Sequence, residues 1–107
     1  IGDLKNMDVL IIDDMIDTAG TLVNAAAAAF EQDAKSVTAI ATHGVLSDPA
    51  IDRIKKSDIN KVIITNTISI PKHKIIDKLK IMSVSGIFGQ AVDRVHNGES
   101  VSALFEY

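Results

Sequence analysis

The chain has 107 residues, 47% of them hydrophobic and 23% charged, enough apolar material for one compact domain with a core of workable size. A formal charge of -3 and a pI near 5.5 give no general positive field for a phosphate polymer or an anionic membrane surface, so neither nucleic acid nor membrane is expected as a partner. The absence of cysteine excludes disulfides, thiolate metal sites and a cysteine nucleophile, and it accords with a reducing cytoplasm.

Ile1 is not an initiator methionine and only a short lead-in precedes the first apolar run, so the chain is expected to be a piece of something longer. No apolar run reaches membrane-spanning length, and no cationic leader precedes a cleavage-like site. Residues 9–12 are apolar throughout and mostly β-branched, the pattern of a strand covered on both faces in a parallel sheet. Asp13 and Asp14 close that run, and a helix is expected over 21–32. Its alanines at 25–29 would let the helix axis lie close to a sheet.

A second strand is predicted over 37–41, followed by a helix over 49–56 with Asp48 as its cap and Pro49 in its first turn. A third strand covers 62–64. A short amphipathic helix is predicted over 72–79, around which Lys72, Lys74, Lys78 and Lys80 form a solvated face rather than a basic binding patch. A weaker strand over 81–84 and a helix over 87–96, stopped by Gly98 after Asn97, complete the alternation. In the tail, Ser100 and Ser102 flank Val101, which would put both hydroxyls on one side of an extended segment. Strand and helix alternate throughout 1–107, predicting a single α/β domain portion: a mostly parallel sheet flanked by helices, with right-handed crossovers.

Ligands of open α/β sheets bind beyond the carboxyl ends of the strands, where Asp13 and Asp14 are expected. Successive strand residues point to opposite faces, so both acids can face one ligand only if the strand is already turning. Two unpaired carboxylates there need hydroxyl donors or a cation, and a sugar diol supplies such donors. Asp17, Thr18, Ala19, Gly20 and Thr21 then form a small-residue corner opening onto a helix. Free backbone N–H groups and the positive end of the helix dipole make that corner an anion cradle. Gly20 permits close approach, Thr18 and Thr21 carry hydroxyl donors, and the Asp17 carboxylate is expected to turn inward onto loop N–H groups. Together these describe a phosphorylated pentose site. The plainer alternative is a helix cap beside two solvated acids.

His43, at the end of the second strand beside a glycine, is read as structural, with a place facing the cleft as the alternative. His73 and His96 have no metal-ligand spacing and are read as surface residues; no metal site and no catalytic residue are assigned to this chain.

The stretch "IIDDMIDTAGTL" resembles the phosphoribosyl-pyrophosphate motif of type I phosphoribosyltransferases, and more closely its form in ribose-phosphate pyrophosphokinases. The resemblance continues through "ATHGVLSDPAIDRI", "VIITNTI" and "RVHNGESVSALF", covering nearly the whole chain. It implies a phosphoribosyltransferase-like fold and the C-terminal part of an enzyme that transfers diphosphate from Mg-ATP to ribose 5-phosphate. By carry-over, Asp13 and Asp14 bind the ribose hydroxyls, and Asp17, Thr18, Ala19, Gly20 and Thr21 hold the 5-phosphate. Ser100 and Ser102 would join an allosteric site for phosphate and ADP at a subunit interface of a homo-oligomer, commonly a hexamer.

The resembled family's ATP-binding residues, its metal-binding histidine and aspartate and its cationic catalytic loop have no counterpart here, so the piece alone is expected to be inactive. Asp48 stands where the family commonly has glycine, and "SGIFGQAV" is an unusual start for the last helix; neither change touches the sugar-phosphate loop. A non-catalytic regulatory or assembly subunit related to the enzyme is the alternative from another class. A phosphoribosyltransferase that consumes the activated sugar is a third reading.

Overall fold

The computed structural model describes residues 2–106. Its elements are β1 (Asp8–Ile16), α1 (Gly20–Glu31), β2 (Ser36–Gly44), α2 (Ala50–Lys56), β3 (Lys61–Thr65), β4 (Leu79–Met82) and α3 (Ser85–His96), with 3₁₀ turns at Lys72–Lys74 and Ser102–Phe105. The four strands form one parallel sheet in the order β1-β2-β3-β4, so the expected α/β class and parallel sheet are observed.

Strand pairing fixes what each face of the sheet presents. Val9 pairs with Val37 and Ile11 with Ala39, which pairs in turn with Val62, while Ala41 pairs with Ile64. These positions point to the face where α1 contributes Ala26 and Ala29 and α2 contributes Ile51 and Ile54, and there they form the core. Of the α1 alanine run, only Ala26 and Ala29 are buried, because one side of a helix meets the sheet.

The alternate positions lie on the other face, where Ile12 pairs with Ile40 and Thr65 with Met82. That face is open: Ile12 is 74% exposed and Leu10 60%. The expectation that residues 9–12 are covered on both faces is therefore corrected, since α1 and α2 both serve one face. Helix α3 buries none of its residues and leaves Phe88, Val92 and Val95 exposed along one stripe. The outline is correspondingly flat, 52 × 35 × 19 Å.

The predicted helix over 72–79 is replaced by a 3₁₀ turn at Lys72–Lys74 and a second turn just before β4, where the Leu79 N–H donates to the Ile76 carbonyl at 3.0 Å. Val62 N–H donates to the Lys78 carbonyl at 2.8 Å, and Val62 pairs with Leu79, which draws the end of this segment into the sheet against its helical spacing. The same register moves β4 ahead of the predicted 81–84. Lys74 and Lys78 do not join a solvated face. Lys78 Nζ donates to the Ser57 carbonyl at 2.6 Å and to the Ile54 carbonyl at 3.3 Å, adding a donor at the C-terminal end of α2, where the Ile54 carbonyl also accepts from Ser57 Oγ at 2.7 Å. Lys74 Nζ donates to the Leu46 carbonyl at 2.6 Å.

Helix α2 starts at Ala50 without a side-chain cap, and Asp48 faces Lys74 at 3.8 Å instead of capping. Helix α3 begins earlier than predicted because Asn66 Oδ1 takes the Val84 N–H at 2.9 Å and Ser83 Oγ takes that of Ser85 at 3.3 Å. Gly98, at φ 69°, ends it as expected. The tail is a bend followed by the 3₁₀ turn, not an extended segment; even so, the Ser100 and Ser102 hydroxyls meet at 2.6 Å. Among the described residues, no helix is long and apolar enough to cross a membrane.

Two glycines test this packing in opposite directions. A Cβ at Gly44 would collide with the Ile64 side chain, whereas Gly89 on α3 has open space around it. Gly44→Ala is expected to destabilise the chain by about 1–3 kcal/mol through overpacking. Gly89→Ala should stabilise α3 locally by about 0.5–1 kcal/mol through helix propensity. Urea midpoints and far-ultraviolet circular dichroism check both; equal effects of the two substitutions would contradict the packing described.

Candidate functional site

β1 runs beyond its predicted end, through both acids to Ile16. Asp13 pairs with Ala41 and Met15 with His43, so the strand has not begun to turn at the acids. Asp13 and Asp14 therefore occupy positions of opposite facing. Each carboxylate accepts the N–H of the residue after it: Asp13 Oδ1 from Asp14 at 2.8 Å, and Asp14 Oδ1 from Met15 at 2.8 Å.

Beyond the strand, the Ile16 carbonyl accepts from Val45 N–H at 3.0 Å and from Leu46 N–H at 3.1 Å. This ties the end of β1 to the β2–α2 loop, and Ile16 and Leu46 are both buried there. The chain then turns through Asp17 and Thr18 to Ala19, whose φ of 62° lies in the left-handed region, and α1 begins at Gly20. A non-glycine residue in that region costs roughly 1–2 kcal/mol, so the surroundings must hold it.

A cleft of about 280 Å³ lies against this turn. Asp13, Met15 and Ile11 line one wall, and Asp17, Thr18, Ala19, Gly20 and Thr21 line the turn. Six of the seven sugar-phosphate candidates thus meet around one space; Asp14 is outside its lining. No side chain caps α1, so the N–H groups of its first turn have neither an intrahelical nor a capping partner.

The expected inward turn of the Asp17 carboxylate is not found: among the described residues it makes no hydrogen bond with the loop. The loop is held from outside. Arg53, on α2, donates from Nη1 to the Thr18 carbonyl at 3.0 Å, and a Cβ on Gly20 would stand 3.2 Å from the same nitrogen. Sequence reasoning missed Arg53, which lies 35 positions from Thr18 and carries no local signal.

His43 is outside the cleft lining, and its Nδ1 is 2.7 Å from Thr67 Oγ1. Thr65 Oγ1 donates to the Thr42 carbonyl at 2.6 Å, so the ends of β2 and β3 are joined by a small polar cluster. Ser100 and Ser102 lie beyond the end of α3, apart from the cleft. Among the described residues no three or more His, Asp or Glu side chains gather where they could hold a metal ion.

Residues 1–106 match the phosphoribosyl synthetase-associated domain. The chain is 53% identical over 105 residues to the ribose-phosphate pyrophosphokinase of Caldanaerobacter subterraneus subsp. tengcongensis, covering 98% of this chain and 33% of that protein. It is 50% identical over 105 residues to the enzyme of the same name from Fusobacterium nucleatum, with the same coverage. Its fold matches the crystal structure of phosphoribosylpyrophosphate synthetase from Mycobacterium smegmatis with a TM-score of 0.89 and 38% identity, over 92% of this chain and 33% of that one. The chain thus spans about a third of the length of the curated relatives it matches.

Proposed function

The chain belongs to the phosphoribosyl synthetase-associated family, and on that premise we propose that it is the ribose 5-phosphate-binding, C-terminal part of a ribose-phosphate pyrophosphokinase. The parent enzyme transfers diphosphate from Mg-ATP to the anomeric hydroxyl of ribose 5-phosphate, making phosphoribosyl pyrophosphate for nucleotide biosynthesis in the cytoplasm. The observation that carries this reading is the cleft in which Asp13 faces the 17–21 turn, joining a hydroxyl acceptor to a set of unpartnered N–H groups.

In this reading, Thr18, Ala19, Gly20 and Thr21 receive the 5-phosphate through backbone N–H groups and the two hydroxyls, and Asp17 borders it. Asp13 accepts from a ribose hydroxyl, whereas Asp14 faces the other way outside the cleft and reaches the second hydroxyl only if the end of β1 twists on binding. Asp13 must then exchange the backbone N–H bond it now accepts for one from the sugar. Magnesium enters with ATP through the remainder of the parent. The parent is a homo-oligomer, a hexamer in its commonest form. Ser100 and Ser102, whose hydroxyls already converge, serve its allosteric phosphate and ADP site.

Phosphoryl transfer depends on positioning and on cations facing the developing charge, and no lysine or arginine lines this cleft. The isolated 107-residue chain is therefore expected to show no diphosphoryl transfer from Mg-ATP to ribose 5-phosphate. Turnover clearly above a protein-free control would contradict this.

Sugar recognition is tested in the full-length parent. Asp13→Asn keeps the shape and loses the charged acceptor, for which a cost of about 1.5–3 kcal/mol is expected. Calorimetry should show wild type binding 2-deoxyribose 5-phosphate more weakly than ribose 5-phosphate, with much of that difference gone in Asp13→Asn. An undiminished deoxy penalty in the variant would remove Asp13 from hydroxyl recognition.

A further inference from the structure

We propose that Arg53 is a positioning residue for the phosphate end of the cleft, acting through the Thr18–Ala19 peptide. The proposal rests on the reading that residues 17–21 take the 5-phosphate. Arg53 lies on α2, which packs beside α1 on the covered face of the sheet, and its guanidinium reaches the turn from behind. Nη1 donates to the Thr18 carbonyl at 3.0 Å.

In a planar trans peptide the carbonyl and the following N–H point in opposite directions. Holding the Thr18 carbonyl toward α2 therefore fixes the Ala19 N–H the other way. It also braces Ala19 at its unfavourable φ of 62°. A Cβ at Gly20 would stand only 3.2 Å from the same nitrogen, so the guanidinium lies close against the start of α1.

Charge adds to geometry. Asp13 and Asp17 line the cleft and oppose an anion there, and no lysine or arginine lines it. Arg53 stands one peptide behind the lining, and among the described residues it makes no ion pair with a carboxylate. Its charge is thus available to the turn. A planar fork serves this purpose better than an ammonium, because less side-chain freedom is lost for each bond formed.

The test uses the full-length parent carrying Arg53→Met, which keeps bulk without donor or charge, and Arg53→Lys, which keeps the charge and a donor but not the planar fork. Arg53→Met is expected to raise KM for ribose 5-phosphate about tenfold or more, the scale of one lost charge-assisted hydrogen bond, with KM for ATP unchanged. Arg53→Lys should fall between wild type and Arg53→Met. Amide exchange at Ala19, Gly20 and Thr21 in the unliganded parent should quicken in Arg53→Met. An unchanged KM for ribose 5-phosphate in Arg53→Met would overturn the role of Arg53 while leaving the site reading intact. Equal rises in both KM values with a fall in thermal midpoint would also overturn it, since that is the mark of general destabilisation. Failure of the wild-type parent to saturate with ribose 5-phosphate would overturn the site reading and this proposal together.

Discussion

The Ile16 carbonyl, which accepts both the Val45 and Leu46 N–H groups, is the junction on which the site depends. It fastens the last residue of β1 to the loop that leads into α2. The 17–19 turn starts from that junction, and its far side is reached by Arg53 from the helix that the same loop introduces. Leu46, wholly buried at φ 52°, completes the knot, and Lys74 closes it by donating to the Leu46 carbonyl. A turn held at its origin and from behind can keep Ala19 left-handed without a side-chain cap on α1.

Polar side chains in this chain mostly serve the backbone. Asp13 and Asp14 accept from their own strand, Lys78 supplies donors to the end of α2, and Asn60 Oδ1 takes the Val37 N–H at 2.8 Å. Among the described residues no buried side-chain polar atom is left without a partner. An unpaired buried polar group costs roughly 1–3 kcal/mol, so the part-buried bonds of Lys78 and Asn60 help maintain a core whose apolar content lies on only one side of the sheet.

That one-sidedness is the other structural fact about the molecule. Parallel sheets are ordinarily covered on both faces. Here Leu10, Ile12 and Met82 remain exposed on the second face, and the apolar stripe of α3 is exposed as well. The chain matches about a third of the length of its curated relatives.

The sequence by itself determined the α/β alternation, the parallel sheet, the helix following the Asp-Thr-Ala-Gly-Thr corner and the stop at Gly98, because apolar runs, small residues and glycine conformations are local signals. It also marked the residues that gather at the cleft, through their spacing and through family resemblance. Only tertiary structure decided the rest. Residues 72–79 carry helical spacing, yet pairing of Leu79 with Val62 holds their end extended; Lys74 and Lys78 look solvated, yet carbonyls from α2 and its preceding loop claim them. Asp13 and Asp14 are equivalent as letters, and continued pairing of β1 with β2 gives them different facings. Arg53 reaches Thr18 across 35 positions, a contact created by packing α2 beside α1, and no window along the chain contains both residues' reasons for meeting.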